Sequence, residues 1–126
     1  MGIWGTILLV VLVMSAVMIG FGLYFSVAGP KKINFVFGYR TPMSMKNLAT
    51  WKFGNMVAGK YMWRTGIILL VGSLITLFIV KSSDEAVIHT VGIIIIIVHA
   101  VMIFGTIILT EVALRRNFDS QGNPRR

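Results

Sequence analysis

Three long apolar stretches dominate the chain, at about residues 3–28, 62–80 and 86–110. Each is long enough for a helix that crosses a bilayer, which needs roughly 20 residues. A backbone inside hydrocarbon must satisfy its own hydrogen bonds, so helices are the expected form. The pattern therefore predicts an all-α integral membrane protein with three transmembrane helices, which form a single domain over residues 1–126.

The polar segments between these stretches differ in charge. Residues 29–64 carry seven basic side chains and no acidic one, whereas residues 81–85 carry one base and two acids. Short segments rich in Lys and Arg stay in the cytoplasm. We therefore expect a cytoplasmic loop at 29–61, with the N-terminus outside and the C-terminus inside. The basic residues are Lys31, Lys32, Arg40, Lys46, Lys52, Lys60 and Arg64.

Breaking and capping residues predict how the loop is organised. Gly29-Pro30 should end the first helix, since proline cannot continue the hydrogen-bond ladder. Ser44 can cap a new helix, and no proline follows it before the second span. We expect an interfacial helix here, within the basic loop, that runs on into the second span. The polar residues 117–126 are expected to form a disordered tail.

The net charge of +8 does not indicate nucleic-acid binding. Positive charge beside membrane spans reflects topology and attraction to anionic lipids. The chain has no cysteine, and its two histidines, His89 and His99, are too far apart on one helix to chelate a metal. It also lacks a zinc-protease HExxH motif and a phosphate-binding glycine loop. We expect no enzyme activity, no metal and no cofactor.

Small residues recur at helical spacing on the first two spans. Such faces let another helix approach closely, either within the chain or from a second copy, so the pattern is compatible with a homo-oligomer. The residues are Ala16 with Gly20, Gly22 with Ser26, and the stripe of Thr65, Gly72 and Thr76.

His99 lies near the middle of the third span. An ionisable group at this depth is costly, and it is a candidate functional residue by default. It could respond to protons or bind a ligand inside the bundle. Alternatively, it is a neutral imidazole bonded to Thr65, Thr76 or a backbone carbonyl.

Glu111 ends the third span beside the basic loop. Arg115 follows four residues later, the favourable order for a helical ion pair. The other interpretation pairs Glu111 with a base of the loop, such as Arg40. The sequence leaves both open.

The segment 38–60 carries the most specific pattern in the chain. It reads GYRTP at 38–42, SMKN at 44–47, WKFGN at 51–55 and AGK at 58–60. This resembles the signature of the SdpI family of bacterial membrane immunity proteins. One departure is Leu48-Ala49-Thr50, where family members often carry an acid; if an acid matters, Glu111 could replace it. The candidate binding residues are Gly38, Tyr39, Arg40, Thr41, Pro42, Lys46, Asn47, Trp51, Asn55, Gly59 and Lys60, together with His99 and Glu111.

The resemblance implies a multi-pass protein of the bacterial plasma membrane that protects its cell from a secreted antimicrobial peptide toxin by binding. The founding member also holds a transcriptional repressor at the membrane, so the resemblance implies a peptide toxin and a cytoplasmic regulator as partners. The basic charge of the loop itself suggests anionic lipids as a further partner. Arg40 is the expected polar anchor, since its planar fork binds carboxylate or phosphate. The alternative is a small oligomeric transport or lipid-handling component that uses His99.

Overall fold

The computed structural model describes residues 2–126, and within them it contains three helices. Helix α1 spans Ile3–Val27, α2 spans Leu48–Ile79 and α3 spans Glu85–Asn117. Each is long and apolar enough to cross a membrane by length and composition. The all-α class and the three candidate spans are confirmed. We call the end where residues 28–47 connect α1 to α2 the basic end, and the opposite end, with residues 80–84, the hairpin end.

Helix α1 ends where the sequence predicts. The backbone N–H groups of Ala28 and Gly29 both donate to the Tyr24 carbonyl oxygen at 2.9 Å. Gly29 has φ +62°, a left-handed conformation that suits glycine after a helix. Pro30 follows, so the chain turns away from the helix axis.

Helix α2 runs unbroken into the second span, as the sequence predicts, but it starts a few residues later than a cap at Ser44 would place it. The helix begins at Leu48, and residues 48–63 are its first half. Its cap is Asn47, whose side chain accepts the Thr50 N–H at 2.9 Å, while the Thr50 hydroxyl accepts the Asn47 N–H at 3.1 Å. This capping box fixes the start. With no proline as far as Ile79, one continuous helix follows, and the non-helical connection between α1 and α2 comprises residues 28–47.

Helices α1 and α2 pack backbone against backbone near the basic end. A Cβ atom on Gly22 would lie 2.5 Å from the Trp63 nitrogen, and one on Gly59 would lie 2.6 Å from the Gly22 carbonyl oxygen. The Gly59 Cβ would also lie 2.5 Å from the Ser26 nitrogen. The predicted close-packing role of Gly22 and Ser26 therefore fits the structure, and the two helices meet at a contact that only glycine permits.

The hairpin end is filled by aliphatic side chains from all three helices. Val11 and Leu77 are fully buried there, in a cluster with Ile7, Ile88 and Ile95. The Trp4 indole N–H donates to the Leu77 carbonyl oxygen at 2.7 Å, which ties the start of α1 to the end of α2.

The C-terminal segment is ordered, in contrast to the predicted disordered tail. Phe118 is buried beside Leu114, and it forms an isolated bridge with Pro124. The Asp119 carboxylate accepts two backbone N–H groups at 2.9 Å, which shapes the turn. The Gly122 carbonyl oxygen accepts from the Asn47 side chain at 2.8 Å. A polar composition suggested disorder, but local turn bonds and one buried aromatic ring hold the segment on α2.

Candidate functional site

Asn55 organises the loop at the basic end. It is buried on α2, and its Oδ1 atom accepts the Tyr39 backbone N–H at 2.7 Å. Its Nδ2 atom donates to the Trp51 carbonyl oxygen at 3.0 Å, one helical turn earlier. One amide side chain thus satisfies both a loop donor and a helix carbonyl. This is why an asparagine at this point of the signature fixes where the loop meets the helix.

Gly38 lies against the same asparagine in a conformation that favours glycine. Its φ is +113°, and an added Cβ would lie 2.8 Å from Asn55 Oδ1 and 2.9 Å from a Pro30 ring carbon. Trp51 closes the other side: it is fully buried, and its indole N–H donates to the Pro30 carbonyl oxygen at 2.8 Å. These four residues hold the loop closely on α2.

Glu111 connects this loop to α3. Its Oε1 atom accepts the Tyr39 hydroxyl at 2.6 Å and the Thr41 hydroxyl at 2.5 Å. Among the described residues, these hydroxyls are its hydrogen-bond donors, so neither expected pairing of Glu111, with Arg115 or with Arg40, is the observed contact. Glu111 does not pair with Arg40 because the loop turns Tyr39 and Thr41 towards α3 and Arg40 away from it.

The environment of Tyr39 favours its protonated, donating form. Burial raises the pKa of the Tyr39 phenol, and the hydrogen bond and negative charge of Glu111 raise it further. A phenol that keeps its proton can continue to donate to the carboxylate. The contact between loop and α3 is therefore electrostatically consistent at neutral pH.

Arg40 points to the outside of the loop. It is exposed, and its guanidinium donates to the Phe35 carbonyl oxygen. It helps to close a tight turn in which Asn34 Oδ1 accepts the backbone N–H groups of Val36 and Phe37 at 3.0 and 2.7 Å. Sequence analysis missed this turn, although asparagine side chains commonly accept the backbone N–H two residues further on.

The signature residues divide by exposure into two groups. Those that build the site are buried or half-buried, and their contacts are with other parts of the chain. Those that face outwards are available to a partner. The first group comprises Gly38, Tyr39, Thr41, Asn47, Trp51, Asn55 and Gly59, and the second comprises Arg40, Pro42, Lys46 and Lys60.

His99 lies apart from this site, in the core of the bundle. It is fully buried, with Nδ1 2.9 Å from the Ile95 carbonyl oxygen and Nε2 3.4 Å from the Ser15 hydroxyl. Because a carbonyl oxygen only accepts, Nδ1 carries the hydrogen, and Ser15 donates to Nε2. The expected carbonyl partner is present, whereas Ser15 on α1 takes the place expected of Thr65 or Thr76.

The stripe of small residues on α2 is less packed than expected. Gly72 has open space where a Cβ would lie, and the Thr76 hydroxyl donates to its own helix at the Gly72 carbonyl oxygen, 2.8 Å away. Both residues line an apolar groove of about 520 Å³ between α2 and α3. Ser73 lines it as well and is 6% exposed.

The signature segment lies in the part of the chain that matches a known family. The sequence model of the SdpI/YfhL protein family matches residues 31–110, which is more than half of the chain. The match begins at the first lysine after α1 and ends one residue before Glu111, so it includes the loop, α2 and most of α3. No curated protein and no solved structure gives a significant match.

Proposed function

This chain belongs to the SdpI/YfhL family, and we propose that it is an immunity-type membrane protein, which protects its cell from a secreted antimicrobial peptide by binding rather than by catalysis. The observation that carries the proposal is the family match over residues 31–110. It covers the segment whose buried residues build the site at the basic end. Membership in a membrane immunity family and three helices of spanning length support the same conclusion.

The groove between α2 and α3 is the surface that best suits such a peptide. A membrane-active peptide meets the protein at or within the bilayer, where close contact depends on small residues that admit a neighbouring helix. Gly72 leaves that space open, and Ser73 and Thr76 add small polar groups to an apolar wall. The groove lies in the half of the bundle towards the hairpin end, the end proposed to face outside.

The exposed bases of the loop have a different part in the proposal. Arg40 and Lys46 of the loop and Lys60 on α2 face outwards, while neighbouring residues fix the loop to all three helices. They are the groups by which a cytoplasmic transcriptional regulator would be held, as the founding member of the family holds one. Charged groups on a fixed frame lose less entropy on binding than groups on a mobile loop.

The proposed location is the bacterial plasma membrane, with the basic end in the cytoplasm. The chain contains no cysteine, so single introduced cysteines report orientation without background. Ser83→Cys should react with a membrane-impermeant maleimide in intact cells. Ser120→Cys should react only after permeabilisation, and the reverse result would contradict the proposed orientation.

Survival of cells challenged with secreted antimicrobial peptides tests the function. Cells that express the protein should survive better than cells without it, and Gly72→Leu should reduce protection by filling the groove. Gly105→Leu is the matched control, because it also adds a side chain in open space, but on α3 and on another face. Each variant must reach the membrane at the wild-type level.

The outcomes separate the parts of the proposal. No protection by the wild type against several such peptides would refute the immunity function. Equal protection by Gly72→Leu and Gly105→Leu would show that the groove between α2 and α3 has no part in protection. An Arg40→Ala variant that inserts normally and protects fully would count against a role for Arg40. The transport alternative predicts pH-dependent flux in liposomes that is lost in His99→Ala, but the engaged ring of His99 does not favour it.

A further inference from the structure

The turn at residues 33–37 forms a wall beside α1, outside the three-helix bundle. The Phe37 ring centroid lies 5.2 Å from that of Phe25 and 5.8 Å from that of Phe21, both in edge-to-face arrangements. The Tyr24 ring is 6.0 Å away. At the tip of the turn, Phe35 and Val36 are both 85% exposed. Aromatic contacts therefore hold Phe37 against α1, whereas the side chains of Phe35 and Val36 make few contacts with the rest of the chain and are exposed.

A groove of about 600 Å³ lies between this wall and α1. Its floor is made by small residues, and an added Cβ on Gly20 would meet nothing within 4 Å. The floor runs from Ala16 to Tyr24, which is about 12 Å along a helix. That is close to half of the roughly 30 Å hydrocarbon thickness of a bilayer. The lining residues are Ala16, Val17, Gly20, Phe21, Tyr24 and Phe37.

Exposed positive charge lies on the same segment of chain that forms the wall of the groove. The chain leaves the helix at Gly29-Pro30 and continues directly into Lys31 and Lys32, both exposed. The Asn34 side chain donates to the Lys32 carbonyl oxygen at 3.0 Å, so the second lysine belongs to the ordered turn. Arg40 closes the other side of that turn. Residues 31–40 thus carry both Phe37, which walls the apolar groove, and three exposed cationic side chains.

From this arrangement we propose that the protein binds one anionic phospholipid at the basic end. One acyl chain lies along Ala16 and Gly20 beneath Phe37, and the phosphate lies at the rim formed by Lys31 and Lys32. The groove is apolar and runs about 12 Å along α1, which suits part of a single acyl chain, and the two lysines supply the charge that distinguishes an anionic headgroup from a zwitterionic one. This inference does not depend on the immunity function.

Native mass spectrometry of the detergent-extracted protein tests the proposal. The protein is reconstituted with equal amounts of palmitoyl-oleoyl phosphatidylglycerol and phosphatidylethanolamine, extracted, and the retained lipid is identified. We expect one retained phosphatidylglycerol on the wild type. Ala16→Leu combined with Gly20→Leu should abolish retention. Lys31→Gln combined with Lys32→Gln should lower the preference for phosphatidylglycerol by about fivefold per lysine.

Two matched controls separate a defined site from general effects. Gly72→Leu adds apolar bulk in open space on another helix, and Lys46→Gln combined with Lys60→Gln removes the same charge elsewhere at the basic end. Both should retain phosphatidylglycerol as the wild type does, and thermal unfolding should be similar in all variants. Wild-type retention of both lipids alike, or of none, would overturn the proposal. So would equal losses in the test and control variants.

Discussion

Replacing Gly59 by alanine should force α1 and α2 apart. The new Cβ would lie 2.5 Å from the Ser26 nitrogen and 2.6 Å from the Gly22 carbonyl oxygen. Ordinary van der Waals contact begins near 3.4 Å, so the deficit is close to 1 Å. Both neighbours are backbone atoms of a helix, and they cannot move aside by a side-chain rotation. The helices must separate or tilt, and the contacts on either side of the crossing then weaken.

The expected cost follows from overpacking measured in other proteins, which is about 1–3 kcal/mol for an added methyl group without space. An alanine in place of glycine otherwise stabilises a helix by about 0.5–1 kcal/mol. Gly72→Ala lies on the same helix with nothing within 4 Å, so it should show only this gain. Gly59→Ala has the same helix gain, so the two variants should differ by the overpacking cost alone, about 1–3 kcal/mol, with Gly59→Ala the less stable.

Reversible unfolding in mixed micelles, with increasing sodium dodecyl sulfate, measures this difference by circular dichroism. Gly22→Ala should behave like Gly59→Ala, because it adds a methyl group to the other side of the same contact. Gly20→Ala is the control on α1. If Gly59→Ala and Gly72→Ala unfold at the same midpoint, the helices do not cross at this glycine pair and the argument fails.

Three further substitutions test separate contacts. Asn47→Ala should cost about 1 kcal/mol and expose the C-terminal turn to hydrogen exchange, because it removes the α2 capping box and the bond to that turn. Ser15→Ala should cost about 1–3 kcal/mol by leaving His99 Nε2 buried without a donor, whereas Ser26→Ala, whose hydroxyl bonds within its own helix, should change little. Tyr39→Phe should remove a tyrosine ionisation well above pH 10 from an ultraviolet pH titration, because the pKa of Tyr39 is raised above the usual 10.0.

The sign of the Tyr39 effect follows from linkage. A group with a raised folded pKa stabilises the fold fully below its unfolded pKa, and that contribution is lost as the pH rises through the folded value. The wild type should therefore lose stability above about pH 10 more steeply than Tyr39→Phe. Parallel pH curves for the two proteins would contradict the burial of the Tyr39 phenol and its contact with Glu111. Unchanged exchange in Asn47→Ala, or equal effects of Ser15→Ala and Ser26→Ala, would contradict the other two contacts.

Hydropathy predicted the number of helices and the limits of α1 well, since a membrane span is a local property of sequence. The end of α1 was also local, because Gly29-Pro30 stops a helix whatever surrounds it. The start of α2 was missed by a few residues, at Ser44 rather than Asn47. Both side chains can cap, and the choice depends on Thr50, which completes the box with Asn47.

The contacts of the candidate site could not be predicted in the same way. Glu111 meets Tyr39 and Thr41 because of the rotation of α3 about its axis and the path of the loop. Neither can be predicted from the spacing of residues along the chain. Ser15 reaches His99 for the same reason. Charge pairing suggested arginines for Glu111, but the structure satisfies that carboxylate with two hydroxyl groups.

The hydrogen bond between Tyr39 and Glu111 joins residues that are 72 positions apart, and this separation has a consequence for biogenesis. A chain is made from its N-terminus, so α1 and α2 can meet at their glycine contact while the last part of α3 is still being synthesised. The two loop hydroxyls acquire their carboxylate partner only after the third helix is almost complete. The contact between the loop and α3 is therefore among the last to form, and it marks a chain whose third helix is complete.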